Sequence, residues 1–158
     1  MTTHTEHEIL SQPQVWRQTI DALDPTTLTA PFQGITDVLV TGCGSTHYLA
    51  MSAAALLRQA GLRAWALPAS ELIAQAQPRL ANPAGTVLLA ISRSGTTTET
   101  VMAAEHFRRI GGRSVAVITC CPDSTLAEAG DVVWAAPAAA EQSVAQTRSF
   151  SSMRNQSS

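Results

Sequence analysis

The residues best suited to chemistry in this 158-residue chain sit in two short segments. "ISRSGTTTET", residues 91–100, places six hydroxyl side chains and a glycine directly behind an apolar run. "TGCGSTH", residues 41–47, places two glycines and three hydroxyls behind another. Glycine lets a backbone approach a ligand closely, and Ser and Thr hydroxyls donate to several oxygens of one anion. Each segment also feeds a helix start, where backbone N–H groups lack intrahelical partners and the dipole end is positive. Two such turns side by side would cradle a phosphate without any lysine. Arg93 could add a charge-assisted fork or lie on the surface. The plain alternative is that these hydroxyls are ordinary helix caps.

Other chemistries are disfavoured. All ten basic residues are arginines, and arginine cannot form an imine with a carbonyl. Gly42-Cys43-Gly44 begins like a dinucleotide fingerprint, but His47 stands where a third glycine belongs, and Glu71 falls inside a helix, away from a ribose. There is neither a Walker loop nor a G-x-S-x-G elbow, and no Ser-His-Asp set or acid/base pair can be assigned. Cys43, Cys120 and Cys121 read as structural thiols, and His4, His7 and His106 have no ligand spacing. No catalytic residue, metal or cofactor is therefore expected.

The bulk composition narrows the class. A formal net charge of −2 with 14% charged residues provides no basic field for nucleic acid. No apolar run approaches the ~20 residues needed to cross a bilayer, and "MTTHTEHEIL" lacks the order of a signal peptide. Three unpatterned cysteines suit a reducing compartment, so a cytoplasmic location with no membrane partner is expected.

The elements that must position the two turns follow from periodicity. "EHEILSQPQVWRQTIDAL" places Ile9, Val15, Trp16, Ile20 and Leu23 at helical intervals, which predicts a short helical turn before Pro13 and an amphipathic helix after it. "DPTTLTAPFQG" reads as a linker, so residues 1–33 form a helical segment and linker ahead of a domain over 34–158. Strands are expected at "ITDVLVTG", "LRAWALP", "TVLLAIS", "RSVAVITC" and "DVVWAA". Helices are expected between them, the second capped by Ser70, and a last one begins in "SVAQTRSFSSM". Alternation at this spacing predicts a three-layer α/β fold with a five-stranded parallel sheet in flavodoxin-like order 2-1-3-4-5. The sheet then reverses between strands 1 and 3, and both hydroxyl-rich turns flank the crevice at their carboxyl ends.

These residues resemble the SIS (sugar isomerase) family. "TGCGSTHYLA", "ISRSGTTTET" and "EQSVAQTRSF" look like three SIS signatures in order. "HEILSQPQVWRQTI" resembles the helix ahead of the isomerase part of glucosamine-6-phosphate synthase. The ketose/aldose isomerases and aminosugar-phosphate deaminases, which lack a glutaminase domain, share that helix. The resemblance implies phosphate-binding positions at Thr46, Ser92, Arg93, Ser94 and Thr97, with Ser45 adjacent. It implies sugar contacts from Val144 and Gln146, and a loop-holding role for Glu141.

Arg93 stands where the synthases usually carry glutamine, which favours the isomerase and deaminase relatives. In such enzymes the acid/base residues lie in a second SIS domain, so 34–158 reads as a first SIS domain that is incomplete at its C-terminal end. The expected function is binding of a phosphorylated hexose or hexosamine as one half of a sugar-phosphate isomerase or deaminase. The alternative is a non-catalytic sensor of a sugar phosphate. Pairing with a second SIS domain, or self-association, is expected to cover faces that a single domain leaves open.

Overall fold

The computed structural model describes residues 3–35, 37–143 and 146–156. Strands β1 (Asp37–Gly42), β2 (Arg63–Pro68), β3 (Thr86–Ser92), β4 (Ser114–Thr119) and β5 (Val132–Ala135) form one parallel sheet. Their order is β2-β1-β3-β4-β5, as expected. The central strands β1 and β3 are buried along their whole length, which is why they read as unbroken apolar runs and not as alternation. Gly42 at the end of β1 pairs with Ile91 of β3, so the turns that leave these two strands start side by side.

Helices cover both faces. Val38 and Val40 point into one core, which α3 (Ser45–Gln59) fills with Leu49, Ala50, Ala53 and Ala54. Val15 of α1 (His4–Asp21) and Met153 of α7 (Arg148–Gln156) join that core. Leu39, one residue on in the pleat, belongs to the opposite core. Leu72 of α4 (Ala69–Arg79), Ala103, Ala104 and Phe107 of α5 (Thr98–Arg109), and Leu126 of α6 (Thr125–Glu128) pack there. Alanine stripes on α3 and α5 bring both helices close to the sheet, so each helix start lies just beyond a strand end.

The structure corrects several expectations. The leading segment is one helix that runs through Pro13, not a turn followed by a helix. Proline removes the bond to the carbonyl of Ile9, and Ile9 is solvent-exposed, so water can serve that oxygen. The buried face of α1 is Glu8, Val15 and Thr19, whereas Ile9, Leu10 and Ile20 are exposed. The linker contains α2 (Pro25–Thr29), started by the Asp24 carboxylate accepting from the Thr26 N–H, and a 3-10 turn at Ala30–Phe32. Ser70 is the second residue of α4 and not its cap. The last helix begins at Arg148, later than expected, and the described residues ahead of it, 141–143, 146 and 147, are non-helical.

Candidate functional site

Three segments converge at the carboxyl end of β1 and β3. The first turn leaves β1 at Gly42 and enters α3 at Ser45, with Gly44 as N-cap at a left-handed φ of +58°. That conformation suits glycine, and a glycine cap makes no side-chain bond; its carbonyl accepts from the His47 N–H (3.1 Å), and no cap side chain takes the amides of Ser45 and Thr46 ahead of it. Thr46 is buried, and its hydroxyl donates to the Cys43 carbonyl (2.9 Å) and accepts from the Cys43 N–H (3.0 Å). The Ser45 hydroxyl donates to Gln146 Oε1 at 2.9 Å.

The second turn leaves β3 at Ser92 and enters α5 after its N-cap Thr97. Buried Ser92 accepts from the Gly95 N–H at 3.2 Å and shares a hydrogen bond with the Thr97 hydroxyl at 3.2 Å. The Thr97 hydroxyl therefore turns towards Ser92 and makes no capping bond to α5. Ser94 accepts from the N–H and the hydroxyl of Thr96, at 3.2 and 3.0 Å, which leaves its own proton for another acceptor. The backbone of this turn is anchored from behind. The Arg93 carbonyl accepts from the Cys120 N–H (3.0 Å) and the Thr119 hydroxyl (3.2 Å), and the Gly95 carbonyl accepts from the Leu126 N–H (2.9 Å).

Two residues of the segment ahead of α7, Ser143 and Gln146, reach one turn each. Gln146 meets Ser45 of the first turn, and the Ser143 carbonyl accepts from Arg93 Nη1 of the second at 3.2 Å. Arg93 thus points across the site and is only half-exposed, not a free surface residue. Val144 lies outside the described residues. Ser45, Thr46, Ser92, Arg93, Ser94, Thr97 and Gln146 all belong to this convergence. Arg93 and Ser94 also line a small cavity of about 120 Å³ with Cys120, Cys121, Ala140 and Glu141. A larger cleft of about 440 Å³, which shares Ala140 and Glu141 with it, opens between His4, His7 and Glu8 of α1 and Ala140–Gln142.

A model of the SIS domain family matches residues 35–156. The chain belongs to the SIS family. It is 31% identical over 156 residues to a glutamine–fructose-6-phosphate aminotransferase of Zymomonas mobilis, covering 92% of this chain and 25% of that protein. The chain thus spans about a quarter of the length of the aminotransferases it matches. The Escherichia coli tagatose-6-phosphate ketose/aldose isomerase superposes with a TM-score of 0.82 at 27% identity, covering 96% of this chain and 45% of that one. The Thermotoga maritima glucosamine-6-phosphate deaminase superposes at 0.80 and 26% identity, covering 98% of this chain and 48% of that one.

Two carboxylates hold the third segment of this SIS domain. Glu141 accepts from the Thr147 N–H (2.7 Å) and hydroxyl (2.6 Å), the Arg148 N–H (2.8 Å) and the Ser149 hydroxyl. Burial alone would raise its pKa, but these four donors outweigh burial and hold it below the usual carboxylate range. Glu8 accepts from the Ser143 hydroxyl and from the N–H groups of Gln142 and Ser143, and the Ser143 bond leads in holding its pKa down. The loop-holding role implied for Glu141 matches these contacts. Glu8 was visible only as part of the leading-helix resemblance, because its partners lie 134 and 135 residues away. Thr119, which supports Arg93, gave no local signal at all. Cys120 suits a structural thiol, since burial pushes its pKa up to about 12.

The two carboxylates predict an acid-sensitive loop. Each binds its proton less tightly in the folded chain than in the unfolded one. Their stabilisation is therefore complete above the ordinary value of 4.5 and is lost as pH falls through the lower folded value. Thermal melts between pH 6 and pH 3 should show Glu141→Gln losing less stability on acidification than the wild type. Equal losses in the two proteins would remove Glu141 from the acid response.

Proposed function

We propose that this SIS domain binds the phosphate ester of a hexose or hexosamine. The observation that carries the reading is the pair of helix starts without side-chain caps, α3 and α5, at adjacent strand ends with one loop tied across both. Their open amides, with the hydroxyls of Ser45, Ser92, Ser94 and Thr97, surround an anion with donors, Arg93 adds charge, and Thr46 contributes through its amide, its hydroxyl proton being held by the Cys43 carbonyl. The Ser45 hydroxyl donates its proton to Gln146 Oε1. Phosphate would draw that proton to itself, which releases the Gln146 amide for a sugar hydroxyl.

The signatures fit a phosphosugar-binding domain over 34–158 that serves as one half of an isomerase or aminosugar-phosphate deaminase. The implied chemistry is ring opening, followed by proton transfer between C1 and C2. Phosphate anchoring contributes to it by fixing the reacting carbons from a distance. Glu8 and Glu141 are engaged by loop donors, so the acid and base would come from a second SIS domain or a second copy of the chain. Among the described residues no helix is long and apolar enough to cross a membrane, which is compatible with the cytoplasmic location such sugar phosphates require.

A thermal-shift titration tests the reading. Glucosamine-6-phosphate or fructose-6-phosphate at about 100 times its Kd should stabilise the chain by about 2.7 kcal/mol. For a chain of this size that is a rise of roughly 5–10 °C in Tm. The same sugars without phosphate should leave the melt in place. A clean melt that neither phosphorylated sugar moves would refute the cradle.

A further inference from the structure

The loop that ties the two turns together is held by a residue at the far end of the chain. Glu8, in the second turn of α1, is 2% exposed. A carboxylate so enclosed is tolerable only with dedicated donors. It has them in the Gln142 N–H at 2.7 Å, the Ser143 N–H at 3.3 Å and the Ser143 hydroxyl. Ser143, gripped on its N–H and hydroxyl, presents its carbonyl to Arg93 Nη1. Helix α1 is itself pinned to α7, where Trp16 Nε1 donates to the Ser151 hydroxyl (2.8 Å) and Arg148 Nη1 donates to the Ser11 hydroxyl (3.1 Å). A path of bonds therefore runs from α1 through Ser143 to Arg93, and Gln146 of the same segment bonds to Ser45.

We infer that Glu8 is a positioning residue of the phosphosugar site, which sets the 141–147 loop and the Arg93 guanidinium in place for the ligand. The N-terminal helix is then part of the binding apparatus and not an appendage to the domain. This inference rests on the sugar-phosphate reading above. It differs from a merely structural role in two ways. A structural contact lowers the melting temperature without changing affinity measured well below the melt, and its effect is independent of what Gln146 does.

Isothermal titration of fructose-6-phosphate at 15 °C into the wild type, Glu8→Ala, Glu8→Gln, Gln146→Ala and the Glu8/Gln146 double variants separates these cases. Glu8→Ala should weaken binding about 10-fold, and Glu8→Gln, which keeps one acceptor but loses the charge, about 3-fold. In the Gln146→Ala background either Glu8 change should add less than about 2-fold, because both residues act through one loop. If Glu8→Ala does not fold by circular dichroism, the Glu8→Gln pair makes the same comparison. Wild-type affinity in the Glu8 variants, or losses that simply multiply with the Gln146 loss, would overturn the inference while leaving the sugar-phosphate reading intact. A wild-type chain that binds neither fructose-6-phosphate nor glucosamine-6-phosphate would overturn both.

Discussion

Gly95→Ala should abolish sugar-phosphate binding and destabilise the chain by about 2–5 kcal/mol, the sum of a backbone and a packing term. Gly95 has φ +64°, a conformation in which an L side chain costs roughly 1–2 kcal/mol. A Cβ there would lie 1.9 Å from Ser124 Oγ and 2.4 Å from Ser124 Cβ, with Thr119 Oγ1 at 3.2 Å. Ser124 is buried and is the N-cap of α6, so it cannot move without shifting that helix. Overpacking of this kind costs typically about 1–3 kcal/mol more. Relief by a shift of the turn would stretch the bonds from the Gly95 N–H to Ser92 and from the Leu126 N–H to the Gly95 carbonyl, which shape the cradle. Urea titration and calorimetric binding measure both effects. Ser124→Gly in the alanine background should restore part of the stability, because it removes the collision but not the backbone strain. A Gly95→Ala protein with wild-type stability and affinity would show that the second turn does not need this geometry.

Phe107→Ala should cost about 3–5 kcal/mol of stability and leave the affinity of the folded protein nearly unchanged. The ring is fully enclosed on the inner face of α5, among Leu39, Leu72, Leu88 and Ala103 of the same core. Its removal leaves a cavity that neighbours on a rigid sheet fill poorly. The cost is a large part of the 5–15 kcal/mol typical of a folded domain. Phe107 lies nine residues along α5 from Thr98, about 14 Å at 1.5 Å per residue, so the cradle at the helix start keeps its shape. The urea midpoint should fall steeply, while the Kd for a sugar phosphate at 10 °C stays within about 3-fold of the wild type. Loss of affinity in step with stability would mean that the helix start moves when its far end loosens. The two variants together separate a residue that makes the site from one that makes the fold.

What could be read from the residues alone was whatever short-range patterning encodes. Five apolar runs, separated by helical periodicity and punctuated by glycine and proline, are local properties. They sufficed for the strand order, because right-handed crossovers leave few ways to wind such a chain. The strand-to-helix turns at 42–46 and 92–97 were legible for the same reason, since glycines and hydroxyls at a strand end are a local signature. The tertiary structure decided what local rules cannot see. Pro13 predicts a break, yet α1 continues through it because the helix is fastened to α7 and to the 141–147 loop. Ile9 and Ile20 look like a core face, yet Glu8 and Thr19 are buried in their place. The last helix waits until Arg148, because Glu141 accepts from the N–H groups of Thr147 and Arg148 and so fixes where it can start. For α1 the deciding partners lie far away in sequence, whereas Glu141 and its donors lie within eight residues of one another but declare themselves only once the chain has turned. A buried carboxylate or a tolerated proline is stable only once donors and packing from a distant segment arrive, and that arrival is a property of the folded chain.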